Sequence, residues 1–185
     1  MQKRTSIMGY VKKFLVTLIV VIIATVGCQE TEDAPSTISD GGTSDVVVDL
    51  LPARAKAAVG DTILVSIKVG SSRGLTGADI DLSFESAYLE AIAFGDGDAF
   101  GPSPVRGRDY IDNDSGLARL AVAKVGPSEL VGSSDSTLAT IMFEVVSDPA
   151  DKETTVSVTS VQLVNSDYTI IPNVMANGMV FSIEE

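Results

Sequence analysis

The sequence predicts an all-β domain, a sandwich or jelly roll, carried behind an N-terminal leader and a polar tether. Three observations point there. From Val46 onward apolar residues recur with a period of two, the repeat of a strand with one buried face. Turn-forming residues interrupt that pattern at short intervals, and no stretch of the same region keeps the 3.6-residue period of an amphipathic helix. Short strands at such spacing, without helices between them, belong to two-layer β folds.

At the N-terminus, Lys12 and Lys13 precede an uncharged run, Phe14 to Val26, followed by Gly27 and Cys28. A basic segment before a short apolar run is the pattern of an export signal, and this run is short for a bilayer span. Residues 1–27 are therefore expected to form a signal peptide. Thr25-Val26-Gly27-Cys28 resembles a bacterial lipobox, in which a small residue precedes the cysteine that receives lipid. It departs from that pattern at Thr25, where a large aliphatic residue is usual. Cys28 is the one cysteine in the chain and the expected site of lipidation. An ordinary secretory signal and an uncleaved membrane anchor are the alternatives. If lipid is attached, Gln29 in place of Asp directs the chain by analogy to the outer membrane of a two-membrane cell.

Residues 28–45 follow as a tether. Between Gln29 and Asp45 the single large aliphatic residue is Ile38, too little to offset the entropy of ordering the segment. A flexible chain of that length reaches about 20 to 25 Å, enough to hold a domain off a membrane.

Residues 46–185 are the expected sandwich. Ile63, Val65, Ile67 and Val69 alternate with Thr62, Ser66 and Lys68, and Ile80, Leu82 and Phe84 with Asp79, Asp81 and Ser83. Ala118, Leu120 and Val122 form a third alternating set, and Ala139, Ile141, Phe143 and Val145 a fourth. Turns are expected at Val59-Gly60-Asp61, Gly70 to Gly77, Gly95 to Asp98, Asp112 to Gly116 and Asp148-Pro149. Val156 and Val158 share one face and Val161 and Leu163 another. The slip at Thr159-Ser160 predicts a bulge or a crossing between sheets. Asn177-Gly178 reads as a two-residue hairpin turn into a closing strand. No internal repeat is visible, so one copy of the domain is expected.

Composition removes several functions. The chain contains no histidine and one cysteine, which excludes a Ser-His-Asp triad, a Cys-His pair and an intramolecular disulfide. It also excludes a zinc site built on His or Cys. The formal charge is −12. The leader holds four basic residues and no acidic ones, leaving 9 basic against 25 acidic residues in the remainder, or −16. Such a surface repels phosphates, so nucleic acid is not an expected partner. Carboxylate pairs capable of glycoside hydrolysis need two acids facing each other across a cleft, and no such constellation stands out.

The ordered segments resemble a cohesin domain. Val59-Gly60-Asp61-Thr62 opens a strand. Gly74-Leu-Thr-Gly-Ala-Asp-Ile-Asp-Leu-Ser-Phe84 comes next, with Leu89-Glu90 after it. Then follow Asp112-Asn-Asp-Ser-Gly-Leu-Ala-Arg-Leu-Ala-Val-Ala123 and Ser136-Thr-Leu-Ala-Thr-Ile-Met-Phe-Glu-Val145. The set closes with Thr154-Thr-Val-Ser-Val-Thr-Ser-Val-Gln-Leu-Val-Asn165 and Asn177-Gly-Met-Val180. The resemblance covers residues 46–185 and implies a nine-stranded jelly roll that binds, without catalysis, a dockerin, a small calcium-loaded helical module usually fused to polysaccharide-degrading enzymes. It places the docking face on the strand after the Gly-rich loop and its neighbours. By position, the implied partner-binding residues are Asp79 and Asp81 on one strand, Arg119, Ala121 and Ala123 on a second, and Lys124 at its end. The carboxylates offer acceptors and the small residues let a helix approach. The chain departs from the family at Gly77, where some members carry a polar contact residue such as Asn.

Plainer roles stand beside these. Asp79 and Asp81 alternate with core residues, as solvated-face carboxylates do, and Arg119 would pair with them across the sheet. Asp112 to Gly116 looks like a calcium loop, but the twelfth position from Asp112 is Ala123, where an EF-hand needs a bidentate Glu; a hairpin turn is expected. Asp96 and Asp98 offer oxygens to a cation. No cofactor is expected on this chain, and any calcium is assigned to the dockerin. The alternative function is a carbohydrate-binding or adhesive sandwich of the cell envelope. Against a sugar-stacking strip, there is no Trp, and beyond the leader the tyrosines are Tyr88, Tyr110 and Tyr168. The expected location is the exported, lipid-anchored surface of the cell.

Overall fold

Alternation turns into two layers because each strand has one apolar face to hide. A computed structural model describes residues 46–70, 74–126 and 135–184. The expected signal peptide, Cys28 and tether lie outside the described residues. Among these, every regular element is a strand: β1 Val47–Leu51, β2 Arg54–Ala57, β3 Thr62–Val69, β4 Leu75–Phe84, β5 Leu89–Asp96, β6 Val105–Asp112, β7 Leu117–Ala123, β8 Ser136–Val145, β9 Glu153–Asn165, β10 Met175–Asn177 and β11 Met179–Ile183.

One sheet has the order β10-β1-β3-β8-β5, the other β2-β11-β9-β4-β7-β6. The chain makes nine extended runs, as the jelly roll requires, because the first and last runs each serve both sheets. β1 pairs with β3 and β10 in one layer, while β2, just past Pro52 and Ala53, pairs with β11 in the other. Proline lacks the N–H a ladder needs, so the break falls where pairing changes sheets. β10 and β11 divide in the same way about Gly178.

That division corrects the hairpin expected at Asn177-Gly178. β10 runs parallel to β1, and β11 runs antiparallel to β9, so the two strands flanking Gly178 do not pair with each other. The glycine is needed for close approach: a Cβ there would lie 2.6 Å from the Val156 carbonyl oxygen. The loop expected over Gly70 to Gly77 is shorter than predicted, since β4 begins at Leu75 and takes Gly77 into the ladder.

The core sits between the sheets. Ile67 and Val65 of β3, Ile80 and Leu82 of β4, Leu120 of β7, and Ile141 and Phe143 of β8 are all buried. Phe143 stands at the centre, its ring 5.3 Å from Phe84 and 6.2 Å from Phe181 in edge-on geometry, the arrangement that aromatic quadrupoles favour. The predicted slip in β9 is a bulge: Asp81 pairs with Ser160 and Leu82 with Val158, leaving Thr159 extra. Its hydroxyl donates to the Asp81 carbonyl, 3.2 Å away. The bulge also corrects the face assignment. Val161 lies opposite Ile80 and Val158 opposite Leu82, so Val156, Val158, Val161 and Leu163 all turn to one core rather than to two faces.

The turn at Asp112 to Gly116 joins β6 and β7 as an antiparallel hairpin, as expected. Asp112 Oδ1 accepts from the backbone N–H groups of Asp114 at 3.1 Å and Ser115 at 3.2 Å. Asn113 reaches the opposite sheet, accepting from the Ala91 N–H at 2.9 Å and donating to the Ala91 carbonyl at 3.1 Å. The turn therefore pins the end of the sandwich.

Candidate functional site

The outer surface of β9-β4-β7-β6 is built in rows. Antiparallel register sets Ser160, Asp81, Arg119 and Tyr110 side by side across the four strands. The next row is Gln162, Asp79, Ala121 and Arg108, and the third is Val164, Gly77, Ala123 and Val105. Alternation along each strand turns these residues away from Ile80, Leu82, Leu120 and Val122, which face the core. Five of the six residues expected to bind a partner thus share one face: Asp79, Asp81, Arg119, Ala121 and Ala123. Lys124 follows directly, half-buried, its backbone N–H donating to the Thr76 carbonyl at 2.9 Å.

The charges of this face are paired with one another. Arg119 Nε lies 3.5 Å from Asp81 Oδ2, the cross-strand ion pair that alternation suggested. The centre of the network, however, is Arg108, which sequence patterning does not single out. Its Nη2 donates to Asp81 Oδ1 at 2.8 Å and also to Asp79 Oδ1. Arg108 stands on β6, two strands from its partners on β4, and its arm crosses β7 at Ala121, the residue opposite it in register. A larger residue at 121 would obstruct that crossing. Two aspartates and two arginines cancel, leaving a locally neutral centre on an acidic domain. The Nε atoms of Arg108 and Arg119 are buried without a hydrogen-bond partner.

β6 escapes the period-two signal because it is an edge strand. Val105 to Asp112 reads Val-Arg-Gly-Arg-Asp-Tyr-Ile-Asp, with Ile111 packed against the core and an irregular register about Gly107. The available clue was chemical: two arginines one residue apart, preceding a hairpin into a strand already assigned to the face.

Arg106 holds the edge of the sheet. Its Nε donates to Asp96 Oδ1 at 2.9 Å and its Nη1 to the Phe94 carbonyl at 3.2 Å, with Asp109 as a further partner. Burial opposes its charge, but the hydrogen bonds to Asp96 and Asp109 outweigh that and hold the guanidinium pKa above its ordinary value. The oxygens considered for a cation are thereby engaged in protein bonds. Asp96 serves Arg106, and Asp98 Oδ1 accepts from the Thr137 N–H at 2.7 Å. Among the described residues, no cluster of three acidic or other metal-ligating side chains gathers to hold a metal.

Beside the charge network lies an apolar depression of about 260 Å³. Gly77, Gly107, Ala121 and Ala123 withdraw from it, while Val105 and Val164 form its sides. The tyrosines do not form a strip: Tyr110 is on β6, Tyr88 in the turn before β5, and Tyr168 in the turn after β9.

Comparison with known proteins agrees with this architecture. Solved structures with the same fold include a non-cellulosomal cohesin from the hyperthermophilic archaeon Archaeoglobus fulgidus, 15% identical with a TM-score of 0.61 over 77% of this chain and 93% of that one. A type II cohesin domain from the cellulosome of Acetivibrio cellulolyticus is 13% identical, with a TM-score of 0.65 over 75% of this chain and 95% of that one. The Coh-OlpA–Doc918 cohesin–dockerin complex from Clostridium thermocellum contributes a chain 16% identical, with a TM-score of 0.63 over 76% of this chain and 99% of that one. No curated protein sequence matches. The cohesin domain family profile matches residues 48–181, most of the chain and nearly all of its sandwich, and the protein belongs to the cohesin family.

Proposed function

We propose that this protein is a receptor module that captures dockerin-bearing proteins, polysaccharide-degrading enzymes among them, on the outer face of β9-β4-β7-β6. Cohesins are non-catalytic binding modules, and solved relatives of this fold include cohesin–dockerin complexes. The observation that carries the reading is the face itself: an open four-stranded surface whose charges are internally balanced and whose centre is lined by small residues. Such a surface admits a helix closely without leaving an unpaired charge beneath it. Binding follows from complementarity, and no bond is broken.

Two variants test the face. Asp79→Ala combined with Asp81→Ala should weaken capture of the organism's own calcium-loaded dockerins at least tenfold, about 1.4 kcal/mol. Because that change also releases Arg108, Ala123→Trp, on the same face but one row away from the Arg108 crossing, serves as the steric counterpart, with far-UV circular dichroism to show that it folds. It should abolish capture. Wild-type capture by folded Ala123→Trp would rule out this face as the site.

The N-terminal segment supplies the proposed location. Residues 1–27 direct export, Cys28 takes the lipid, and residues 28–45 hold the module clear of the membrane. The cellulosomal origin of the type II relative supports an extracellular setting. Cys28→Ala should move the protein from the membrane fraction to the soluble fraction. An unaltered distribution would refute the lipid anchor.

A further inference from the structure

The depression over Gly77 is the least explained part of the face. It needs two glycines and two alanines to exist, yet neither glycine is demanded by the backbone: Gly77 and Gly107 both lie outside the left-handed region. A Cβ at Gly77 would meet only ordinary contacts, with the Val122 carbonyl oxygen at 3.5 Å and Val164 Cβ at 3.8 Å. At Gly107 the nearest neighbour would be Ala121 Cβ at 4.0 Å. Folding therefore does not require these positions to be empty.

The geometry points to a specificity pocket that receives one large apolar side chain from a helix of the dockerin partner, an inference that rests on the docking face proposed above. Val164, Gly77, Ala123 and Val105 form an apolar row across the depression, and the polar side chains that line it, Asp79 and Gln162, come from the neighbouring row. Val105 is 54% exposed, an apolar wall facing water. Charge argues against an ionic occupant. A lysine or arginine would find Asp79 already matched by Arg108, and a carboxylate would enter beside Asp79 on a domain of net negative charge. Size favours a bulky group: an apolar cavity of about 150 Å³ accommodates benzene, and this depression is about 260 Å³. The Asp79–Arg108 pair at its rim would then fix where the helix lies, and the knob would decide which helix is accepted.

Gly77→Leu tests the pocket by filling it from below. With the melting temperature unchanged, it should weaken dockerin capture at least tenfold, and Gly107→Val should act in the same direction. A probe that needs no dockerin separates the pocket from the docking reading. Isopropanol titrated into the ¹⁵N-labelled protein should shift the amides of Gly77, Gly107, Ala121 and Ala123, and Gly77→Leu should suppress those shifts. If the wild type captures no dockerin while isopropanol still moves these amides, the pocket stands and the dockerin reading falls. If dockerins bind folded Gly77→Leu as tightly as wild type, or isopropanol leaves the four amides unmoved, the pocket is refuted whatever binds the rest of the face.

Discussion

Arg108 organises the face through one guanidinium group set over two carboxylates. Its side chain is 36% exposed and that of Asp81 21%, so water screens the pairing and its contribution to stability is modest. Arg108→Met should lower unfolding stability by no more than about 1 kcal/mol, read from the urea midpoint at constant slope, while altering dockerin capture severalfold through the uncovered Asp79 and Asp81. A stability loss of several kcal/mol with unchanged capture would make the network purely structural. Asp112 gives a residue-level prediction in pH. Hydrogen bonds from the Ser115 side chain and backbone hold its carboxyl below the ordinary value. A depressed folded pKa stabilises the native state above the unfolded value, and that contribution disappears as pH falls through the folded value. The gap in urea midpoint between wild type and Asp112→Ala should therefore be constant near neutrality and shrink below about pH 4. With no histidine in the chain, the wild-type midpoint should vary little between about pH 6 and 8.

At the scale of the element, β9 shows how a single residue keeps a strand in phase. Thirteen residues, Glu153 to Asn165, cross the whole sheet, and Thr159 is the extra one that returns Val161 and Leu163 to the core after Val156 and Val158. Deleting Thr159 should turn one half of the strand inside out, because a one-residue slip reverses every side chain. Loss of the cooperative unfolding transition is expected, whereas replacement by Ser, which keeps both the count and the hydroxyl, should leave it nearly unchanged. A cooperative deletion variant of normal stability would show that the strand can absorb the slip. β6 presents the opposite case. Its N-terminal end is tied by Arg106 to Asp96 and Phe94, so an edge with little apolar content is still held against the sandwich. An exposed edge strand carrying charge in this way is also protected against pairing with another chain.

For the whole molecule, stability rests on the packing between layers, since the fold has no disulfide and its ion pairs lie at the surface. Phe143 is fully buried and touches the rings of both Phe84 and Phe181, joining β8 of one sheet to β4 and β11 of the other. Phe143→Ala should cost about 3 to 5 kcal/mol, the sum of lost transfer energy and the cavity left behind, measurable by urea unfolding. A loss under about 1 kcal/mol would mean that the layers collapse into the space. The double use of the first and last runs joins the two sheets along one edge, with β5 and β6 as the opposite edge strands, and the β9-β4-β7-β6 face remains an outer surface.

What the residues determined by themselves was everything governed by local period. Alternation in β3, β4, β7 and β8 set the two-layer class, the core and the outward placement of Asp79, Asp81, Arg119, Ala121 and Ala123, because a side-chain period of two needs no knowledge of the neighbouring strand. Only the tertiary structure decided which strands became neighbours. It brought Arg108 from an edge strand across Ala121 to two carboxylates, gathered Gly77 and Gly107 into one depression, and sent β10 and β11 to different sheets instead of into a hairpin. Those outcomes depend on pairing between residues far apart in the chain, where register is chosen by burial of the whole core and not by any short stretch of sequence.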